Sequence, residues 1–214
     1  MLHIALFGTS ADPPTTAHQA IIGWLSQRFD WVAVWAADNP FKAHQTPLSH
    51  RIAMLRLLID DLNPPQGNVR LYSELSKPRA IHTLEIAKQR WADAQFTFVL
   101  GADLITQLPS WYQIDELLQQ VNLLVVPRPG YPLSEIALEA LRQRGANVAI
   151  ADLMGSDTSS TAYREHGEMD GLTPPIEDYI HREHLYAWQD APREKQLIPQ
   201  TAPRWPTSKL ESIT

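Results

Sequence analysis

Cysteine is absent from the 214 residues, so a disulfide, a thiol nucleophile and a thiolate-held metal site are all excluded. Positive charge is not in excess either: 18 Lys and Arg stand against 24 Asp and Glu, a net charge of −6. A nucleic-acid module carries a basic face, and no basic cluster is visible here. A small nucleotide remains compatible, because a few local cations are enough to hold it. No apolar run reaches the ~20 residues of a membrane-spanning helix. The short apolar run at 4–7 is far too brief for the hydrophobic region of a signal peptide. No segment repeats. These absences predict a soluble, cytoplasmic protein. Two common phosphate signatures, G-x-x-x-x-G-K-[ST] and G-x-G-x-x-G, are also missing, which excludes a P-loop and a dinucleotide fingerprint.

Hydrophobic residues make up 44% of the chain, enough for a full core. Apolar runs alternate with helical periodicities along it. Strands are predicted at 4–7, 31–36, 69–72, 96–101, 123–126 and 148–151. Helices are predicted at 17–29, 48–62, 81–91, 115–120 and 134–144. On the second of these, Ile52, Leu55, Leu58 and Ile59 share a face. Strands alternating with helices predict an α/β fold built on a doubly wound, mostly parallel sheet. Ligands of such sheets bind beyond the carboxyl ends of the strands. The expected organisation is a single domain over residues 1–188, followed by a Pro-rich, flexible tail over 189–214 that holds Pro192, Pro199, Pro203 and Pro206.

The chain is organised around its first eighteen residues, MLHIALFGTSADPPTTAH. A buried strand ends at Gly8, a residue that lets backbone pass close to another group. A small, hydroxylic loop follows, and Thr15 or Thr16 can cap the next helix, with His18 in its first turn. Helix N–H groups, the positive end of the helix dipole and an imidazole converge at the end of strand one, a place to hold phosphate. A second cluster, TSSTAYR at 158–164, puts hydroxyls at a helix start. Ser159 or Ser160 can cap that helix, Thr161 can face anionic oxygens, and Arg164 one turn on can add a charge-assisted bond. Read alone, it is equally a well-capped short helix.

The opening resembles the [HT]-x-G-H nucleotidylyltransferases, whose pattern runs G-G-[ST]-F-D-P-x-[HT]-x-x-H. Gly8, Ser10, Asp12, Pro13, Thr15 and His18 fall on it, while Thr9, Ala11 and Ala17 depart from it. Ser159, Ser160, Thr161 and Arg164 match the family's [IV]-S-S-T-x-[IV]-R. FVLGAD at 98–103 resembles its F-[IV]-[IV]-G-x-D, and LPSWY at 108–112 with VNLLVVPRPG at 121–130 is similar to segments of bacterial nicotinate-nucleotide adenylyltransferases. His184-Leu-Tyr186 resembles the closing segment of that family. Its P-P-H-K loop appears as Asn39-Pro-Phe-Lys42. Its S-Y-T-x-D-T-L segment appears as Pro78-Arg-Ala-Ile-His-Thr-Leu84, so that Arg79, Ala80 and His82 stand where relatives have Tyr, Thr and Asp.

The resemblance implies a Rossmann-like nucleotidylyltransferase fold and transfer of the adenylyl group of ATP to nicotinate mononucleotide. It implies His18, Arg164, Thr15 and Lys42 as catalytic. It gives ATP to Gly8, Thr9, Ser10, His18, Gly101, Asp103, Ser159, Ser160, Thr161 and Arg164, and the pyridine nucleotide to Trp111, Tyr112, Lys42 and Ala80. Mg²⁺ is expected on the ATP phosphates rather than in a protein site. His181 and His184, three apart on the last helix, have a spacing that can bind metal, but no protein metal site is assigned. His44 and His50 flank a loop and are expected to be exposed. ATP and a pyridine mononucleotide are the expected partners, with no nucleic acid and no membrane, and with a homo-oligomer left open. Two other readings stand beside this one. The acceptor could be nicotinamide mononucleotide or phosphopantetheine, or the chain could be a nucleotide-binding regulator without catalysis.

Overall fold

The computed structural model describes residues 1–38, 45–64, 66–153, 158, 160–167 and 171–186. Six strands, β1 (His3–Thr9), β2 (Trp31–Ala36), β3 (Val69–Leu71), β4 (Gln95–Gly101), β5 (Asn122–Val126) and β6 (Asn147–Ile150), form one sheet in the order β3-β2-β1-β4-β5-β6. Every pairing is parallel. Among the described residues, seven α-helices accompany them: α1 (Thr16–Ser26), α2 (Leu48–Leu62), α3 (Ala80–Arg90), α4 (Ile114–Leu118), α5 (Glu135–Gln143), α6 (Ser160–His166) and α7 (Pro174–Arg182).

Successive strand residues point to opposite faces, and here both faces are covered. Ile4 and Leu6 of β1, Ala33 and Trp35 of β2, and Phe96, Phe98 and Leu100 of β4 join the core beneath α3, α4 and α5. Ala5 and Phe7, Val32 and Val34, and Val99 join the core beneath α1, α2, α6 and α7. That is why the strands read as continuous apolar runs rather than alternating ones. The chain builds β1, β2 and β3 outward in one direction. It then crosses to β4 on the other side of β1, so the order reverses between β1 and β4. A crevice opens at such a point, beyond the carboxyl ends of the strands.

Two helical faces differ from the periodicity reading. On α2 the buried stripe is Arg51, Met54, Leu55, Leu58 and Ile59, and Ile52 is only half-buried. An arginine has taken a core position, for reasons that lie in the site. On α1, Ile22, Leu25 and Ser26 are buried, and the helix stops three residues short of Phe29. Among the described residues no helix is long and apolar enough to cross a membrane. The stretch 187–214, which includes the expected tail, lies outside the described residues.

Candidate active site

The loop after β1 leaves the sheet beside the point where the strand order reverses. Gly8 sits where the Trp35 indole packs across β1, and a Cβ there would drive into the indole ring. The close approach foreseen for this glycine is thus to a core aromatic, itself edge-on to Phe98 at 5.9 Å. Ala11 is buried and holds a left-handed backbone, φ 48°. For a non-glycine residue that conformation costs on the order of 1–2 kcal/mol and must be imposed by its surroundings.

Thr15 is the N-cap of α1 and is buried. Its amide donates to His18 Nδ1 at 3.1 Å, and its hydroxyl lies 2.9 Å from the same nitrogen. His18, third residue of the helix, reaches back as the third residue of a capping box does. This contact decides a tautomer. A backbone N–H can only donate, so Nδ1 must keep its lone pair, and the proton resides on Nε2 at the far side of the ring. The neutral imidazole is therefore a donor from Nε2, and no positive charge is needed for it to bond an anionic oxygen.

The second hydroxyl cluster docks on this loop. Ser160 Oγ donates to the Pro13 carbonyl at 2.7 Å, and Arg164 donates to the Asp12 carbonyl and, at 3.2 Å, to Thr161 Oγ1. The Thr16 and Thr158 hydroxyls are 3.4 Å apart. Two stretches about 150 residues apart in sequence thus form one surface, with Thr161 and Arg164 exposed on it. Ser159 and Lys42, both expected in the site, lie outside the described residues.

Beneath the loop lie two charged residues, each 2% exposed. Arg51 donates from Nε to the Thr46 carbonyl at 2.9 Å and from Nη1 to the Ser10 and Ala37 carbonyls at 3.0 and 2.7 Å. Burial lowers its pKa and the neighbouring Asp12 and Asp38 raise it; an arginine stays charged regardless. One cation therefore pins the loop after β1, the segment after β2 and the approach to α2. Asp12 accepts from the Thr46 amide at 3.3 Å and from the Tyr186 hydroxyl at 2.8 Å. Neither Arg51 nor Tyr186 was given a role by the sequence reading. Arg51 did leave a signal, a charge in register with the apolar stripe of α2.

The neighbouring strand supplies the next group. Gly101 ends β4, and a Cβ on it would collide with the Asp103 carboxylate. Asp103 is paired with Arg128 at 3.5 Å, an ion pair joining the segments after β4 and β5. Further on, Trp111 is half-buried and packs against the core, whereas Tyr112 is 49% exposed. Arg79 lies over the Tyr112 ring, 4.2 Å from its centre, and His82 meets it edge-on at 6.1 Å. Ala80, first residue of α3, is half-buried beside them. The two residues that depart most in charge from the family pattern thus flank one exposed tyrosine.

Two expectations are corrected. His50 is not exposed: in the first turn of α2 it is half-buried, with Nδ1 2.9 Å from the Tyr179 hydroxyl. His184 is not on the last helix with His181, since α7 ends at Arg182 and His184 has φ 50°. His44 lies outside the described residues.

A strand-to-helix loop and a hydroxyl-rich helix that meet at the reversal of a parallel sheet give the arrangement of a cytidylyltransferase-like α/β protein. The cytidylyltransferase-like family model matches residues 6–166. Nicotinic acid mononucleotide adenylyltransferase of Plasmodium falciparum, complexed with NaAD, superposes with a TM-score of 0.75 at 20% identity, over 87% of this chain and 98% of that one. At that identity the likeness speaks for the fold. A probable nicotinate-nucleotide adenylyltransferase of Synechocystis sp. is 43% identical over 199 residues, 86% of this chain and 99% of its own length. The nicotinate-nucleotide adenylyltransferase of Bacillus subtilis is 29% identical over 87% of this chain and 99% of its own length. The chain belongs to the nicotinate-nucleotide adenylyltransferase family.

Proposed function

We propose that this chain transfers the adenylyl group of ATP to nicotinate mononucleotide, releasing pyrophosphate and forming the deamido dinucleotide used in NAD biosynthesis. The observation that carries the reading is the docking of the 158–164 hydroxyl cluster on the loop that leads to His18. It supports one continuous triphosphate site. The acceptor phosphate is already an anion, so no base is needed to make the nucleophile. The protein has to align it with the α-phosphorus and stabilise the charge that develops.

In this reading His18 donates from Nε2 to the α-phosphate and to the bridging oxygen as pyrophosphate leaves. Thr15 fixes the ring that does so. Gly8, Thr9 and Ser10 shape the loop beside the triphosphate. Ser159, Ser160, Thr161 and Arg164 hold the β- and γ-phosphates, and Arg164 supplies the charge. Gly101 and Asp103 face adenosine, with the Asp103 carboxylate as acceptor for ribose hydroxyls. Lys42 is assigned to the incoming phosphate from sequence alone. Trp111, Tyr112 and Ala80 surround the pyridine ring, and Arg79 brings a cation beside Tyr112 that favours a ring carboxylate over an amide.

Mg²⁺ arrives with ATP and, when bound, neutralises phosphate charge. Among the described residues no three His, Cys, Asp or Glu side chains cluster to hold an ion. Asp12, the carboxylate nearest the loop, is already committed to Thr46 and Tyr186. This donor set fits an ion held by phosphate and water.

The test is identification of the product formed from Mg·ATP with nicotinate mononucleotide, nicotinamide mononucleotide or phosphopantetheine. The deamido dinucleotide should dominate. A product formed only from phosphopantetheine, or none from any acceptor, would overturn the reading.

A further inference from the structure

Tyr186 follows the last helix and belongs to neither phosphate element, yet it touches both. Its hydroxyl donates to Asp12 Oδ1 at 2.8 Å, within the loop after β1. Its ring meets Tyr163 of α6 edge-on, with centroids 5.4 Å apart and an interplanar angle of 85°. Tyr163 directly precedes Arg164, whose guanidinium donates to the carbonyl of that same Asp12. Asp12 is therefore gripped twice, through its side chain by Tyr186 and through its backbone by α6.

The backbone shows that this placement is enforced. His184 and Tyr186 have φ 50° and 71°, left-handed values at two non-glycine residues within three positions. Such conformations persist only where the surroundings over-determine them. Burial and the Asp12 carboxylate push the Tyr186 hydroxyl up, so it remains protonated and able to donate.

We infer that Tyr186 is a positioning residue: its hydroxyl, through Asp12, sets the register of the loop after β1 against α6 and so fixes the span across which the triphosphate is held. The inference rests on the reading that these two elements bind ATP. A loop and a helix that drift apart by about an ångström still bind nucleotide, but they misalign the α-phosphorus, and misplacement of that order costs up to about 100-fold in rate.

Tyr186→Phe is the test, because it removes the hydroxyl and keeps the ring on Tyr163. The variant should melt close to wild type, bind Mg·ATP more weakly by calorimetry, and lose about 10-fold to 100-fold in kcat. Its KM for nicotinate mononucleotide should stay within about twofold of wild type, since the acceptor does not bridge the two elements. In an Asp12→Ala background, which removes the accepting oxygen, the same change should have little further effect. The inference is overturned by a Tyr186→Phe variant with wild-type kcat and ATP affinity, by additive effects of the two substitutions, or by a melting point so low that lost activity merely follows the unfolded fraction. A wild-type protein that releases no pyrophosphate removes the functional reading instead, and ATP calorimetry on Tyr186→Phe then still decides whether the hydroxyl shapes the phosphate site.

Discussion

His18 cannot keep the Thr15 amide bond and also carry a proton on Nδ1. That constraint puts the ring proton on Nε2 and fixes the orientation of the ring. The sequence located this residue by its distance from Gly8 and its place in the first helical turn. The tautomer could not be read there, because it depends on Thr15 turning its amide and hydroxyl inward. His18→Ala should lower kcat by on the order of 10²–10³, the typical cost of losing one preorganised donor. The melting temperature should hardly move, since the ring is only half-buried and α1 keeps its Thr15 cap. Near-normal turnover in the folded variant would remove His18 from the chemistry.

Among the elements, the loop after β1 and α6 have to be considered together. Each alone reads as a capped helix start; their joint surface exists because Ser160 and Arg164 spend hydrogen bonds on the Pro13 and Asp12 carbonyls. Arg164→Ala should weaken ATP binding and turnover together, since it loses both the loop contact and the charge offered to the phosphates. Arg164→Lys should recover only part, because an ammonium lacks the planar fork that spans the Asp12 carbonyl and Thr161 Oγ1. Titration of ATP against both variants checks this, and wild-type affinity in both would leave α6 as a capped helix without a ligand. The strands were legible in the sequence because a parallel sheet covered on both faces writes each strand as an apolar run. What holds the loops over them was not. Arg51 is 41 residues from Ser10, and Tyr186 is 174 from Asp12; no local pattern records contacts of that separation. The stripe of α2 held the one hint, a charge where an aliphatic residue was expected.

For the whole molecule, the last contribution to the site among the described residues is Tyr186, so the place of a truncation matters more than its length. We propose that residues 1–188 fold and act alone. Deleting residues 189–214 should leave melting temperature and turnover near wild type, because Tyr186 and its bond to Asp12 are kept. Deleting from residue 185 onward should cost activity by removing them. Equal behaviour of the two truncations, by thermal melting and turnover, would contradict this.

The family assignment and the joined phosphate elements make one claim together: this chain adenylylates nicotinate mononucleotide. Steady-state pyrophosphate release from Mg·ATP, with nicotinate and nicotinamide mononucleotides measured in parallel, tests it most directly. Turnover is predicted with both, with a higher kcat/KM for the acid, because donors left unpaired by the amide penalise it and the Arg79 guanidinium, which lies over Tyr112, is proposed to favour a carboxylate. No pyrophosphate with either, or a clear preference for the amide, would contradict it.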